Sequence, residues 1–383
     1  MIERRIRNLV RGRLQEYPAV ALVGPRQCGK TTLAQALGGA YYDLEQDSER
    51  LRLDLEWDSL TAGKELGILD EAQSMPEVFP RLRGAIDQDR KRAGRFLLLG
   101  SVSPALMAQV SESLAGRLSL IELTPLLLSE LETTAQRDRR WLVGGFPDGG
   151  VLKPSRYPRW QLDYLALLTQ RDLPNWGLTA RPSTTERMLR MLAALHGQTW
   201  NASQVGKSLG LSYHTVNHNL DYLEGAFLVR RLRPYQGNIR KRLVKSPKIY
   251  WRDSGLLHAL SNVADRRALI SQPWVGASWE GFVIEQALGE LAAVGANFEA
   301  YYFKSSDGHE VDLVLDFGAE RWAIEVKLTS SPGPDDLKRL DRAADPIGAS
   351  RRFLVSQTSQ SSGDERRASL NLPSLIDRLT SLP

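Results

Sequence analysis

Val20-Ala21-Leu22-Val23-Gly24-Pro25-Arg26-Gln27-Cys28-Gly29-Lys30-Thr31-Thr32 decides how this chain is read. A short apolar run breaks into the complete G-x-x-x-x-G-K-T pattern, and Thr31 to Leu37 continues with residues suited to a helix. A strand that hands a glycine-rich turn to a helix start gathers free backbone N–H groups and the positive end of the helix dipole in one place. Gly24, Pro25, Arg26, Gln27, Cys28, Gly29, Lys30, Thr31 and Thr32 are therefore the expected phosphate cradle. Lys30 is expected to reach the β- and γ-phosphates, and the Thr31 hydroxyl to take one position on Mg²⁺. The stretch implies a bound nucleoside triphosphate.

A second element strengthens that reading. Glu65 to Gln73 is an apolar strand ending in Asp70-Glu71. Asp70 at a strand end can hold the Mg²⁺ shell, and Glu71 can orient or deprotonate the attacking water. A third strand, Phe96 to Gly100, leads into Ser101, whose hydroxyl either contacts the γ-phosphate or water, or simply caps a helix.

The 383 residues suffice for two or three domains, and an apolar content of 42% with 25% charged residues is ordinary for globular chains. The single cysteine, Cys28, excludes an internal disulfide framework and suits a reducing compartment, so a cytoplasmic location is expected. Cys28 fills a variable position of the loop, which favours a tolerated small residue over redox control. No run long enough to span a bilayer occurs, and no membrane association is expected. Arg4, Arg5, Arg7, Arg11 and Arg13 recur beside Ile6, Leu9 and Leu14, the pattern of an amphipathic first helix with a basic face. A net charge of +5 permits nucleic-acid binding without arguing for it.

The first 125 residues alternate strands with helical stretches. Strands are expected at Ala19–Val23, Tyr41–Leu44, Leu66–Leu69, Arg95–Leu99 and Ser119–Leu123. That alternation predicts a parallel sheet covered on both faces. Trp141 to Pro147 is a Gly/Pro-marked joint, and Tyr157 to Leu173 resumes helical spacing with Trp160, Tyr164, Leu167 and Leu168 on one side. Ser356–Ser362 is a low-complexity tract expected to be a flexible loop.

Residues 184–233 form another legible unit. A helix over Thr185–Leu195, a cap at Asn201, a helix over Gln204–Leu209, a turn at Gly210 and a helix over Tyr213–Glu224 precede a basic strand. This is the order of a winged helix-turn-helix. Tyr213, His214, Asn217 and His218 on the second helix, and Arg230, Arg231 and Arg233 on the wing, are candidate DNA contacts. Arg240, Lys241, Arg242, Lys245 and Lys248 extend the basic stretch, as DNA contacts or as a solvated face. Winged helices also serve as protein-binding or lid modules, so both uses stand at this point.

Near the C-terminus, Gly308 to Leu315 alternates so that Glu310 and Asp312 share one strand face. After a turn at Gly318, Trp322 to Lys327 places Glu325 and Lys327 the same way. Asp312 and Glu325, completed by Glu280 on an upstream helix, could hold Mg²⁺, while Lys327 could help position or activate a water against a phosphodiester. A hairpin with a charged outer face is the competing reading.

Several motifs in fixed order together resemble the bacterial and archaeal ATPases that join an AAA+ domain to a C-terminal domain of unknown function. They are GPRQCGKTTL at 24–33, ILDEAQ at 68–73, SLAGRLSLIEL at 113–123, GGFPD at 144–148, QRDL at 170–173, KSPKIYWRDSGL at 245–256 and GHEVDLVL with AIEVKL at 308–328. The resemblance implies an α/β P-loop AAA+ core over 1–135 and a helical linker or lid over 136–183. It further implies a winged helix-turn-helix over 184–240 and a restriction-endonuclease-like α/β domain over 241–383. It implies that Arg117 reaches a neighbouring subunit's γ-phosphate, with a structural strand-capping role as the alternative. It makes Arg171 the sensing arginine of the lid, unless Asp172 beside it forms an internal pair. ATP with Mg²⁺ is the expected cofactor set, and a homo-oligomer acting on DNA, possibly branched, the expected working form. An ATP-dependent nuclease and a nucleotide-controlled protein-binding regulator, such as a toxin–antitoxin partner, are the rivals.

Overall fold

A computed structural model describes residues 2–100, 114–237 and 245–381. Ser101, Arg240, Lys241 and Arg242 lie outside the described residues.

Five parallel strands build the first sheet: β1 (Ala19–Val23), β2 (Ala40–Asp43), β3 (Gly67–Asp70), β4 (Phe96–Gly100) and β5 (Leu118–Glu122), in the order β2-β3-β4-β1-β5. β1, β3 and β4 are buried throughout, which is why they read as unbroken apolar runs rather than alternating ones. Their residues still divide by parity. Val20 and Leu22 pack under the helices Arg7–Glu16 and Lys30–Gln35 with Val10 and Leu33. Ala19, Ala21 and Val23 face the helices Asp47–Ala62 and Val78–Gln88 through Leu53, Phe79, Leu82 and Ile86. The expected strands are present, each displaced by at most one residue at its ends, because the ladder to the parallel neighbours sets where pairing stops.

The helix Arg159–Leu167 continues in wider turns through Asp172. Trp160 and Tyr164 stack with ring centroids 5.1 Å apart, and Leu168 is buried as expected. Leu167 departs from the expected stripe: it is 54% exposed and lines the cleft beside the phosphate loop.

Helices Pro182–Ala194, Ala202–Leu209 and Tyr213–Gly225 follow. The side chains of Asn201 and Ser212 accept backbone N–H bonds at the two helix starts, from Gln204 at 3.0 Å and from Thr215 at 3.1 Å. Gly210 (φ +70°) makes the turn between them in the left-handed region. An antiparallel hairpin of β6 (Val229–Pro234) and β7 (Lys248–Trp251) comes next, so residues on both sides of position 240 build one hairpin.

β6 also pairs in parallel with β8 (Glu299–Lys304). The hairpin thereby becomes one edge of an eight-stranded mixed sheet, in the order β12-β13-β11-β10-β9-β8-β6-β7. The remaining strands are β9 (Glu310–Asp316), β10 (Arg321–Val326), β11 (Arg351–Ser356), β12 (Ser362–Gly363) and β13 (Arg367–Asn371). Ser356 ends β11 and Ser362 opens β12, so both ends of the expected flexible loop are tied into the sheet. Helix Val275–Ala293, buried on nearly every side, runs through the centre of this region. Its Ser278 hydroxyl joins Trp141 Nε1 (3.0 Å) and His258 Nε2 (2.6 Å), fastening the helix Thr134–Val143 to the C-terminal half.

Candidate functional site

Because all strands of the first sheet are parallel, the C-terminal ends of β1 and β3 open on the same edge and bring Gly24 to Thr32 and Asp70-Glu71 together. At Gly24 a Cβ would lie 2.2 Å from the carbonyl oxygen of Leu123, so only glycine fits. Gly29 has φ +102°. Two non-glycine residues are also left-handed here, Gln27 (φ +61°) and Glu71 (φ +49°). Each such conformation costs on the order of 1 kcal/mol and collects at functional sites.

The Lys30 ammonium is buried and donates to the carbonyls of Gly24 and Pro25, both at 2.9 Å. The Thr31 hydroxyl donates to Asp70 Oδ2 at 2.6 Å, and the Tyr41 hydroxyl donates to the same oxygen at 2.8 Å. A hydroxyl and a carboxylate, both hard oxygen donors in contact, fit Mg²⁺. Burial pushes the Glu71 carboxyl up from its ordinary range, opposed by the charges of Arg26 and Lys30. Gln73 donates to Glu71 and fixes its orientation. Arg26 sits 3.1 Å from Asp172 and 3.3 Å from Glu45. A cleft of about 430 Å³ is lined by Arg26, Lys30, Thr31, Glu71 and Asp172, and also by Asp148 and Leu167.

A second cavity, about 470 Å³, adjoins the loop at Gly29 and Thr32 and is lined by Ile2, Arg7, Leu33, Ala36 and Leu152. Under the loop lies a residue whose sequence context suggests a basic surface. Arg4 is instead buried, donating to the Cys28 carbonyl (2.8 Å), the Thr124 carbonyl (2.6 Å) and Glu130 Oε1 (3.0 Å). Burial beneath the loop pushes the Cys28 thiol up, which suits an inert packing residue. Neither Tyr41 nor Arg4 carries a sequence signal for its place: one is a strand tyrosine, the other an arginine among arginines.

Arg117 lies at the start of β5. The pairing Leu118 with Ala19 and Glu122 with Val23 puts it at the end of the sheet away from the phosphate loop. Its guanidinium holds both oxygens of Asp87, at 2.8 and 3.0 Å. Arg171 donates to Asp172 at 2.9 Å, the internal pair that its neighbour allowed.

On the helix Tyr213–Gly225, Tyr213, His214 and His218 are exposed. Asn217 instead accepts from Trp200 Nε1 at 2.9 Å. Arg230 is committed to the buried Glu285 (3.0 Å), and Arg231 to Glu224 and Asp221 (both 2.6 Å). Glu285, enclosed beside the hairpin, needs a cation, so Arg230 is turned inward, whereas Arg231 pairs at the surface with exposed Asp221 and half-buried Glu224; Arg233 is exposed. Arg252 belongs to the same network. It bridges Glu285 (3.2 Å) and Glu122, so one chain of ion pairs runs from β5, next to β1, to the hairpin.

Glu280, Asp312, Glu325 and Lys327 do assemble, and a residue expected on the basic stretch stands among them. Lys248, 5% exposed, lies 2.7 Å from Glu310, 3.1 Å from Glu280 and 3.9 Å from Asp312. Lys327 pairs with Glu325 at 2.6 Å and Lys304 with Glu310 at 2.7 Å. Asp312 accepts from the Val326 amide at 2.8 Å, and burial with the Glu280 and Glu325 charges holds its carboxyl well above the usual range. Among the described residues no group of three or more carboxylate, histidine or cysteine side chains is placed to hold a metal ion. The Lys248 ammonium stands in the midst of the carboxylates expected to hold Mg²⁺, where it offsets part of their charge. No helix among the described residues is long and apolar enough to cross a membrane.

Sheet and site together define an AAA-type P-loop ATPase domain, and residues 16–132 match the AAA domain family. Residues 134–267 and 275–375 match two families described as domains of unknown function (DUF8612 and DUF4143). The chain belongs to the same family as the uncharacterized proteins Rv2008c of Mycobacterium tuberculosis and Mb2031c of Mycobacterium bovis. Each is 40% identical over 338 residues, covering 87% of this chain and 75% of the relative. Among solved structures it is similar to the Walker-type ATPase PABY2304 of Pyrococcus abyssi, at 15% identity and a TM-score of 0.48 over 68% of this chain and 96% of that one.

Proposed function

We propose that the protein hydrolyses ATP and uses the hydrolysis to move its helix-and-hairpin unit on DNA, as an oligomer. The observation that carries the ATPase reading is the 2.6 Å contact of Thr31 with Asp70, with Glu71 next in the chain and Lys30 across the same cleft. Mg²⁺ held by Thr31 and Asp70 would neutralise charge between the β- and γ-phosphates. Lys30 exchanges its carbonyl partners for phosphate oxygens. Glu71, held by Gln73, takes the proton from the attacking water. The apolar cavity beside Thr32 accommodates the nucleoside.

Coupling is supported by the Glu122–Arg252–Glu285–Arg230 chain, since Glu122 pairs in register with Val23, directly before the loop. The DNA reading rests on exposed Tyr213, His214, His218 and Arg233, a smaller set than the sequence offers. ATP turnover measured with single-stranded, duplex and junction DNA tests it. Stimulation that fades steeply as salt rises is expected, and turnover indifferent to every DNA favours the protein-binding regulator.

Arg117 faces away from its own loop, so it acts at a γ-phosphate only on a neighbouring chain, releasing Asp87 to do so. Arg117→Ala should lose turnover by about a hundredfold or more. Mixing it with Lys30→Ala chains should restore part of the rate, because each supplies what the other lacks. No restoration at any ratio would leave Arg117 as the Asp87 partner alone.

A further inference from the structure

The phosphate cleft contains a cation that the general chemistry of the loop does not require. Arg26 is the third residue of the eight-residue loop. The Lys30 ammonium rests on the carbonyls of Gly24 and Pro25, the two residues before it. Arg26 and Lys30 are also the two largest opposing charges felt by Glu71, so guanidinium and ammonium both neighbour the carboxylate that addresses the water. Arg26 spans two carboxylates, Asp172 and Glu45, yet its Nε is buried and has no hydrogen-bond acceptor among the described residues. A buried donor without a partner is costly, so an acceptor delivered into the cleft is favoured there. Asp172 is only 5% exposed, and it holds a second cation, Arg171, at 2.9 Å. Asp172 can therefore release Arg26 without becoming an uncompensated buried charge.

We propose that Arg26 contacts the terminal phosphate of ATP from within the same chain, and that Asp172 is the resting partner it leaves. The wide turns Leu168–Asp172 are then tied to the loop by an ion pair when ADP is bound and freed from it when ATP is bound. The proposal deepens the ATPase reading and rests on it. It also separates two arginine roles: Arg26 acts in its own chain, Arg117 on a neighbour.

Titration calorimetry with Mg²⁺, comparing ATPγS and ADP, tests the proposal in wild type, Arg26→Ala, Arg26→Lys and Asp172→Asn. Arg26→Ala should weaken ATPγS about tenfold or more and ADP by less than about threefold, the difference expected for one charge-assisted contact to the terminal phosphate. Arg26→Lys, which keeps the charge but not the fork, should lie between. Asp172→Asn removes the competitor and should raise the preference for ATPγS over ADP by roughly threefold to tenfold. Equal losses for both nucleotides in Arg26→Ala, or an unchanged preference in Asp172→Asn, overturns the proposal. Should Arg26→Ala melt below wild type and fail to bind anything, the lysine and Asp172→Asn variants decide. Wild type that binds neither nucleotide defeats the ATPase reading itself; wild type that binds both, with preferences unmoved by these variants, defeats only the role of Arg26.

Discussion

Lys30→Ala abolishes nucleotide binding while leaving the fold intact. Lys30 is 6% exposed, and its ammonium donates to the carbonyls of Gly24 and Pro25 beside the cleft, groups that water can satisfy once the side chain is gone. Packing therefore loses little, and the melting temperature should stay within a few degrees of wild type. Binding loses a charged donor at the place where the phosphates enter. A contact of that kind contributes about 3 kcal/mol, roughly a hundredfold or more in Kd. Calorimetric titration with Mg²⁺ and ATPγS reads the loss directly. Undiminished affinity in Lys30→Ala would remove the loop from the account.

Glu71→Gln has the second large effect, and it separates binding from chemistry. The amide keeps the shape and the contact with Gln73 but cannot take a proton, so ATP should stay bound while turnover falls by about 10²–10⁴. The pH profile supplies a signature that mere misplacement would not. Burial raises the Glu71 carboxyl, so its basic form is lost at a higher pH than for an exposed glutamate. Wild-type turnover should fall as pH drops through that raised value, and the residual rate of Glu71→Gln should lack this acid limb. Equal turnover in the two proteins takes Glu71 out of the water-activating role.

What was legible in the sequence follows from how local each signal is. The loop from Gly24 to Thr32 and the Asp70-Glu71 strand end are encoded by adjacent residues, and a parallel sheet necessarily opens both on one edge. Likewise the cap at Asn201 acts over three residues, and it is present. Charge, by contrast, says nothing about partners when those partners are far along the chain. Arg4 reaches Glu130, Arg230 reaches Glu285 and Lys248 reaches Glu280, at separations that no local pattern expresses. Each of those basic residues read as surface, and each is spent on a carboxylate enclosed by the fold. The candidate DNA surface shrank and the C-terminal carboxylates acquired a resident ammonium for the same physical reason: a buried carboxylate needs a cation, and the fold supplies one from the same chain. Tyr41 shows the converse, a residue placed correctly in a strand whose hydroxyl reaches Asp70 only once β2 pairs with β3.

A triphosphate held by the main chain and Lys30 after β1, and cleaved there with the help of Glu71, underlies every role proposed for this protein. The most direct test pairs calorimetric titration of the folded wild-type protein with ATP and Mg²⁺ against phosphate release from the same preparation. Saturable heat and steady phosphate release, the latter lost in Glu71→Gln, are the predicted result. Folded protein that gives no heat and releases no phosphate contradicts it.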